Sequence, residues 1–131
     1  MPLATQLTIR LGNDIGVLAR LCRDLSDAGV NLIGLSAHQW GQQGVVRLLV
    51  VNQEQAQETL RKAGYRCAVD QVLFVEIKNR PGALAKTVEK LARARINIES
   101  AYATAHLRSQ KTVAVIAVDA SDLDRALKLL G

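Results

Sequence analysis

The chain has 131 residues, 49% of them hydrophobic and 22% charged, a balance that suits a folded globular protein and excludes a disordered one. At this length it holds one ordinary domain or two of the smallest kind, each of about 60 residues and only marginally able to bury a core alone. The net charge is +5, but the basic residues are scattered and aromatics reach only 3%, too few for the stacking platforms of single-strand nucleic-acid binders.

No segment approaches the roughly 20 apolar residues of a membrane span, so no membrane partner is expected. Met1-Pro2-Leu3-Ala4-Thr5 carries no basic stretch followed by an apolar one, and the expected location is the cytoplasm. Cys22 and Cys67 are too few for a disulfide framework or a zinc site and are expected as core thiols; no metal and no other cofactor is expected.

In chain order, Gln6 to Leu11 alternates apolar and polar residues, the period of a strand with one covered face. From Gly16 the period lengthens: Leu18, Leu21, Cys22, Leu25 and Ala28 make a helical apolar stripe that Gly29 closes. Asn31 opens a second strand reaching Trp40, and Gly41-Gln42-Gln43-Gly44 turns the chain into a third, Val45 to Val51. Asn52 is placed to cap a helix carrying Ala56, Leu60 and Ala63 inward, and Tyr65 to Val69 is read as a fourth strand.

The order then restarts. Val72 to Lys78 reads as a strand, Gly82 to Arg93 as a helix with Leu84, Val88 and Leu91 inward, Ile96 to Ala105 and Val113 to Val118 as strands, and Ser121 as the cap of a last helix. Asn79 follows Asn13, and Asn97 follows Asn31, by one displacement of 66 residues (79 − 13 and 97 − 31), the mark of a duplicated supersecondary unit. The expected fold is α+β: two tandem ferredoxin-like βαββαβ repeats, 1–70 and 71–131, with antiparallel sheets carrying helices on one face. The second repeat reaches Leu129-Leu130-Gly131 without residues for a fourth strand. The edge of Val72 to Lys78 is expected to be covered by a strand from the N-terminal half or a second chain, or else shielded by side chains.

Asn79-Arg80-Pro81-Gly82-Ala83-Leu84, with Ile96-Asn97-Ile98-Glu99-Ser100 after its helix, resembles the signature of ACT domains, small regulatory modules of amino-acid metabolism. Asn13-Asp14-Ile15-Gly16-Val17-Leu18 with Val30-Asn31-Leu32 is similar but lacks the proline. The physical reading agrees: a loop rising into a helix exposes unpaired amides at the positive end of the macrodipole, which favours a carboxylate. Gly16 and Gly82 allow close approach, and an asparagine offers both donor and acceptor to a zwitterion, although a single one is as common in a plain turn or cap.

The resemblance implies that domains pair side by side through their second strands, with the ligand between the loop of one and the second-strand start of its neighbour. One site would then use Asn13, Asp14, Ile15 and Gly16 with Asn97, and another Asn79, Arg80, Pro81 and Gly82 with Asn31; pairing between chains would exchange the partner asparagines. A regulatory protein binding an amino acid or related metabolite, working as a homodimer, is the expected function. Two alternatives stand beside it. Asn97-Ile98-Glu99-Ser100 also resembles the ACT domain of the acetolactate synthase small subunit, which implies a non-sensing subunit docked on a biosynthetic enzyme. An RNA-binding module shares the strand order but needs aromatics on central strands, where only Phe74 is found. His38 and His106, the only histidines, accompany no nucleophile elbow, HExxH or phosphate loop, so no catalysis is expected.

Overall fold

A computed structural model describes residues 3–131 of the chain. The order is β1 (Leu3–Gly12), α1 (Val17–Asp27), β2 (Leu32–Trp40), β3 (Gln43–Val50), α2 (Gln53–Lys62), β4 (Cys67–Lys78), α3 (Ala83–Arg93), β5 (Ile98–Thr104), β6 (Lys111–Val118), a 3-10 turn (Ala120–Asp122) and α4 (Leu123–Leu130). The chain divides into two compact units, one of Thr5–Asp70 and one in which Leu3 and Ala4 join Gln71–Gly131. Among the described residues no helix is long and apolar enough to cross a membrane.

In the first unit β3 lies between β1 and β2 and is antiparallel to both, with Leu48 opposite Leu7 on one side and Leu35 on the other. Side chains alternate across a strand, so Leu7, Ile9, Val46 and Leu48 share a face. On that face they pack with Leu21 and Leu25 of α1 and Ala56 and Leu60 of α2. The second unit repeats the plan: β6 lies between β4 and β5, and Leu73, Ala114 and Ile116 meet Leu91 of α3 and Ala126 of α4. The ferredoxin-like repeats expected from the sequence, with helices on one sheet face, are therefore present.

The duplication extends to backbone detail that spacing could not reveal. The β2–β3 pairing shifts register between Leu32 and Gly34, and the β5–β6 pairing does so between Ile98 and Ser100. Gly29 ends α1 with φ 76°, and Arg95 ends α3 with φ 59°, the one non-glycine residue with positive φ among the described residues. Both are helix stops of the left-handed kind, closed by Val30 N–H to Leu25 O (2.9 Å) and Ile96 N–H to Leu91 O (3.0 Å). The last carbonyl of each such helix is reached from the next helix of its unit: Gln55 Nε2 donates to Ala28 O (2.7 Å), and Arg125 Nη1 to Ala94 O (3.0 Å).

Several expectations need revision. Tyr65–Val69 and Val72–Lys78 are not two strands; β4 runs unbroken from Cys67 to Lys78 through exposed Asp70 and Gln71, because a polar pair interrupts the apolar pattern without ending an extended backbone. Ser121 does not cap the last helix; Asp119 Oδ2 accepts from Ser121 N–H (3.0 Å) and from the Ser121 hydroxyl. Leu18 and Leu84, read as inward, are 38% and 45% exposed. As for the uncovered edge, Leu3 and Ala4 at the start of β1 belong to the second unit, so the N-terminal half does contribute to it.

Gln6, Val45 and Leu49 of the first unit and Val72 and Val115 of the second are all buried, although they alternate with the helix-facing residues. The thiols differ in surroundings: Cys22 is half-buried on α1, and Cys67 packs at the margin of the first core. Burial pushes the Cys67 thiol up, against an opposing contribution from the Thr8 backbone N–H, which disfavours a reactive thiolate.

Two outcomes follow. Arg95→Gly removes the left-handed strain of a residue with a Cβ, about 1–2 kcal/mol, less the greater chain entropy of glycine, so a net gain of roughly 0.5–1 kcal/mol is expected in denaturant unfolding. Leu48→Ala, at a fully buried position between β1 and β2, is expected to cost about 3 kcal/mol in the same measurement.

Candidate functional site

The two loops that carry the matched asparagines leave β1 and β4 and enter α1 and α3. Asn13, Asp14, Ile15 and Gly16 are all exposed, as are Asn79, Arg80, Pro81 and Gly82. Gly16 (φ 93°, ψ −5°) and Gly82 (φ 87°, ψ −14°) occupy the N-cap positions in the left-handed conformation. A Cβ built at either would meet no other atom within 4 Å, so the chain itself requires glycine there for its backbone angle and not for space. Their carbonyls accept the first helical bonds, from Arg20 N–H (3.0 Å) and Lys86 N–H (2.9 Å).

Neither α1 nor α3 has a side-chain cap or an acidic residue in its first turn. By contrast, α2 has both, with Asn52 Oδ1 accepting from Gln55 N–H (3.1 Å) and Glu54 close behind. The first amides, Val17 N–H and Ala83 N–H, turn back to Asp14 O (3.4 Å) and Arg80 O (3.2 Å), but no side chain caps the amides that follow, and the positive dipole end without a first-turn acid favours an anionic group. Beside those amides stand apolar surfaces: Ile15 is fully exposed and Leu18 and Leu84 partly so, next to half-buried Val17 and Ala83.

The loops differ in side-chain chemistry. Asp14 and Arg80 hold opposite charges at equivalent positions, and neither forms an ion pair among the described residues. Asn79 Nδ2 donates to Ser109 O (2.8 Å) and His106 O (3.4 Å) in the β5–β6 turn, whereas the Asn13 side chain makes no comparable bond among the described residues.

Asn31 and Asn97 are exposed at the starts of β2 and β5. Each is far from the loop of its own repeat. Asn31 O accepts from Val51 N–H (3.1 Å) at the end of β3, while Gly12 pairs with Gln43 at its beginning. Eight strand residues separate those ends, about 26 Å at 3.3 Å per residue. The second unit has the same layout, with Lys78 opposite Lys111 and Ile98 opposite Val118. Within one repeat the structure thus keeps each loop apart from the strand-start asparagine.

The outer edge of β2 is open within its unit, since its one hydrogen-bonded neighbour is β3. It carries Ile33 (55% exposed), Leu35 and Trp40 (72% exposed), a feature that the alternating pattern of the sequence did not single out. An open cleft of about 420 Å³ lies elsewhere, lined by Glu54, Gln57, Glu58, Arg61, Tyr65 and Cys67 and including none of the loop residues. Much of its polar rim is already paired, as Arg61 Nη2 meets Glu58 Oε1 at 2.6 Å and that bond holds the Glu58 carboxyl below its ordinary range. His38 and His106 are exposed, and no cluster of three or more His, Cys, Asp or Glu able to hold a metal occurs among the described residues.

Comparison with solved structures gives strong likenesses over nearly the whole chain. The protein BT0572 from Bacteroides thetaiotaomicron is 26% identical, with a TM-score of 0.89 over 98% of this chain and 87% of that one. The regulatory subunit of aspartate kinase from Thermus thermophilus, in its ligand-free form, is 18% identical with a TM-score of 0.66, covering 98% and 90%. Aspartate kinase from Synechocystis is 23% identical with a TM-score of 0.62 over 98% of this chain but 25% of its own. No curated protein sequence matches the chain. The family model for the ACT domain pair matches residues 3–130, and with two βαβ loops, two matched glycine caps and two cores on one plan, the chain belongs to that family.

Proposed function

We propose that the chain is a non-enzymatic regulatory protein that binds an amino acid or related small metabolite at composite sites, each joining the loop of one repeat to the second-strand start of another. The observation that carries this reading is the separation inside each repeat: loop and strand-start asparagine stand at opposite ends of one sheet. A ligand touching both kinds of residue must therefore draw them from two repeats. One such site takes Asn13, Asp14, Ile15 and Gly16 with Asn97, and the other Asn79, Arg80, Pro81 and Gly82 with Asn31. Uncapped amides at the starts of α1 and α3 receive the carboxylate, and Val17, Leu18, Ala83 and Leu84 supply apolar wall.

A homodimer fits the open β2 edge, because an unpaired strand rimmed with exposed Ile33, Leu35 and Trp40 is a template for another strand. The same edge supports the second reading, a subunit docked on a biosynthetic enzyme, and the two are compatible where a ligand binds one assembly state more tightly. Stacking of RNA on the sheets is disfavoured, since Val45, Leu49, Val72 and Val115 on the faces away from the helices are buried.

Thermal unfolding against the twenty amino acids tests the sensor reading: a ligand at 100 times its Kd stabilises the native state by about 2.7 kcal/mol. A selective upward shift in Tm with one or two amino acids is expected, and no shift with any would leave the docking reading. Gly16→Ala and Gly82→Ala are each expected to cost about 1–2 kcal/mol through their positive φ and to diminish the ligand-induced shift at their own loop. Ile33→Lys is expected to turn a dimer into monomers, as read by light scattering at micromolar concentration; an unchanged mass would exclude this edge from the interface.

A further inference from the structure

The two loops share a backbone but not a use for their asparagines. We infer that Asn79 is a positioning residue that fastens the second loop to the β5–β6 hairpin, and that the free carboxamide donor of the protein's ligand site is Asn13.

The assignment rests on donor chemistry. Both groups that the Asn79 carboxamide meets, Ser109 O at 2.8 Å and His106 O at 3.4 Å, are carbonyl oxygens, so only the Nδ2 end can face them. Its two N–H groups are thereby used, and Oδ1 alone remains for any other contact. The Asn79 backbone N–H adds a third tie, to Gln110 O (2.9 Å), one position beyond the Lys78–Lys111 pair of the ladder. The turn is knit further by Ser109 N–H to His106 O (2.9 Å), Arg108 N–H to His106 Nδ1 (3.3 Å) and the Ser109 hydroxyl to Lys111 O (2.7 Å).

The first repeat has no need of such a fastening. Its β2–β3 turn consists of Gly41 and Gln42, is closed by the positive φ of Gly41 (62°) and takes a local bond from Gln39 Nε2 to Gly41 O (3.1 Å). The β5–β6 connection runs over residues 105–110 and has more carbonyls outside the ladder, which Asn79 reaches. The longer hairpin thus takes up the asparagine that the shorter one leaves free. Two consequences follow. A ligand carboxylate meets a side-chain amide at Asn13 but only backbone amides at the Asn79 loop, so the two sites differ in affinity. The Asn79 loop and the hairpin tip, with its almost fully exposed Leu107, move as one body, so occupancy of that loop is felt at the tip.

Amide hydrogen exchange of full-length Asn79→Ala, Asn79→Asp and Asn13→Ala tests the fastening without any ligand. Loss of a hydrogen bond is expected to speed exchange of residues 106–111 by roughly fivefold in both Asn79 variants, since aspartate keeps the size but not the donor, and to leave both turns unchanged in Asn13→Ala. Unchanged hairpin exchange in the two Asn79 variants would overturn the inference. The second arm rests on the proposed function and uses whichever amino acid raises the wild-type Tm: Asn13→Ala is expected to lose more of that shift than Asn79→Ala, because only Asn13 has side-chain N–H groups not already given to backbone carbonyls. The reverse pattern would overturn the assignment of the ligand donor, whereas an absence of any shift in wild type would refute the sensor reading and leave the exchange result to decide the fastening.

Discussion

A helix that returns the chain between two parallel strands places the loop before it and the strand start after it at opposite ends of the sheet. Here β1 and β2 are both antiparallel to β3, and β4 and β5 both to β6, so each crossover by α1 or α3 obeys that rule. The loop asparagines and the strand-start asparagines are consequently parted by a sheet length in each repeat. A single repeat could not use both on one small molecule, and a chain with two repeats has the complementary ends available twice. Two repeats, from one chain or from two, are in this sense a geometric requirement of the proposed site.

What holds each repeat in that form is mostly apolar packing. Leu7, Ile9, Leu21, Leu25, Leu48 and Leu60 are fully buried in one core, and Leu73, Leu91 and Ile116 in the other. Most of the ion pairs are surface pairs at helical spacing, such as Arg61–Glu58 and Arg93–Glu89, and one, Lys111–Glu76, joins β6 to β4; these exposed pairs contribute little stabilisation. Polar groups contribute instead by closing helix ends. Gln55 and Arg125 reach the last carbonyls of α1 and α3, Asn52 caps α2, and Asp119 starts the final turn. The starts of α1 and α3 are left without such closure, and the loops proposed to receive a ligand stand there.

The symmetry between repeats is closest in the backbone and weakest in side chains. Arg95 holds an angle that Gly29 takes without strain, and the register shift after Leu32 recurs after Ile98. The carbonyl bonded by a glutamine in one repeat is bonded by an arginine in the other. Fold requirements are met in both halves by whatever residue type can meet them, and the residues freed from those requirements have diverged. Asp14 against Arg80, and a free Asn13 against a bonded Asn79, are the clearest cases.

Much of this was written in the sequence. Alternation in Gln6 to Leu11, the three-and-four spacing after Gly16, and the single displacement linking Asn13 to Asn79 and Asn31 to Asn97 determined the element order and the duplication, because periodicity and turn residues are local properties of the chain, while the family was legible only through the resemblance of the Asn79–Leu84 motif. The sequence also specified glycine at residues 16 and 82, where only a left-handed backbone allows the loop to enter its helix. Tertiary structure alone decided the rest. That one strand runs through Asp70 and Gln71, and that Leu18 and Leu84 stay partly exposed, depends on where the assembled core ends. The occupation of Asn79 by Ser109, thirty residues away, is likewise a contact that no local pattern encodes. Local propensity fixes what each segment becomes, and which donors and surfaces remain free is settled only when distant segments have taken the others.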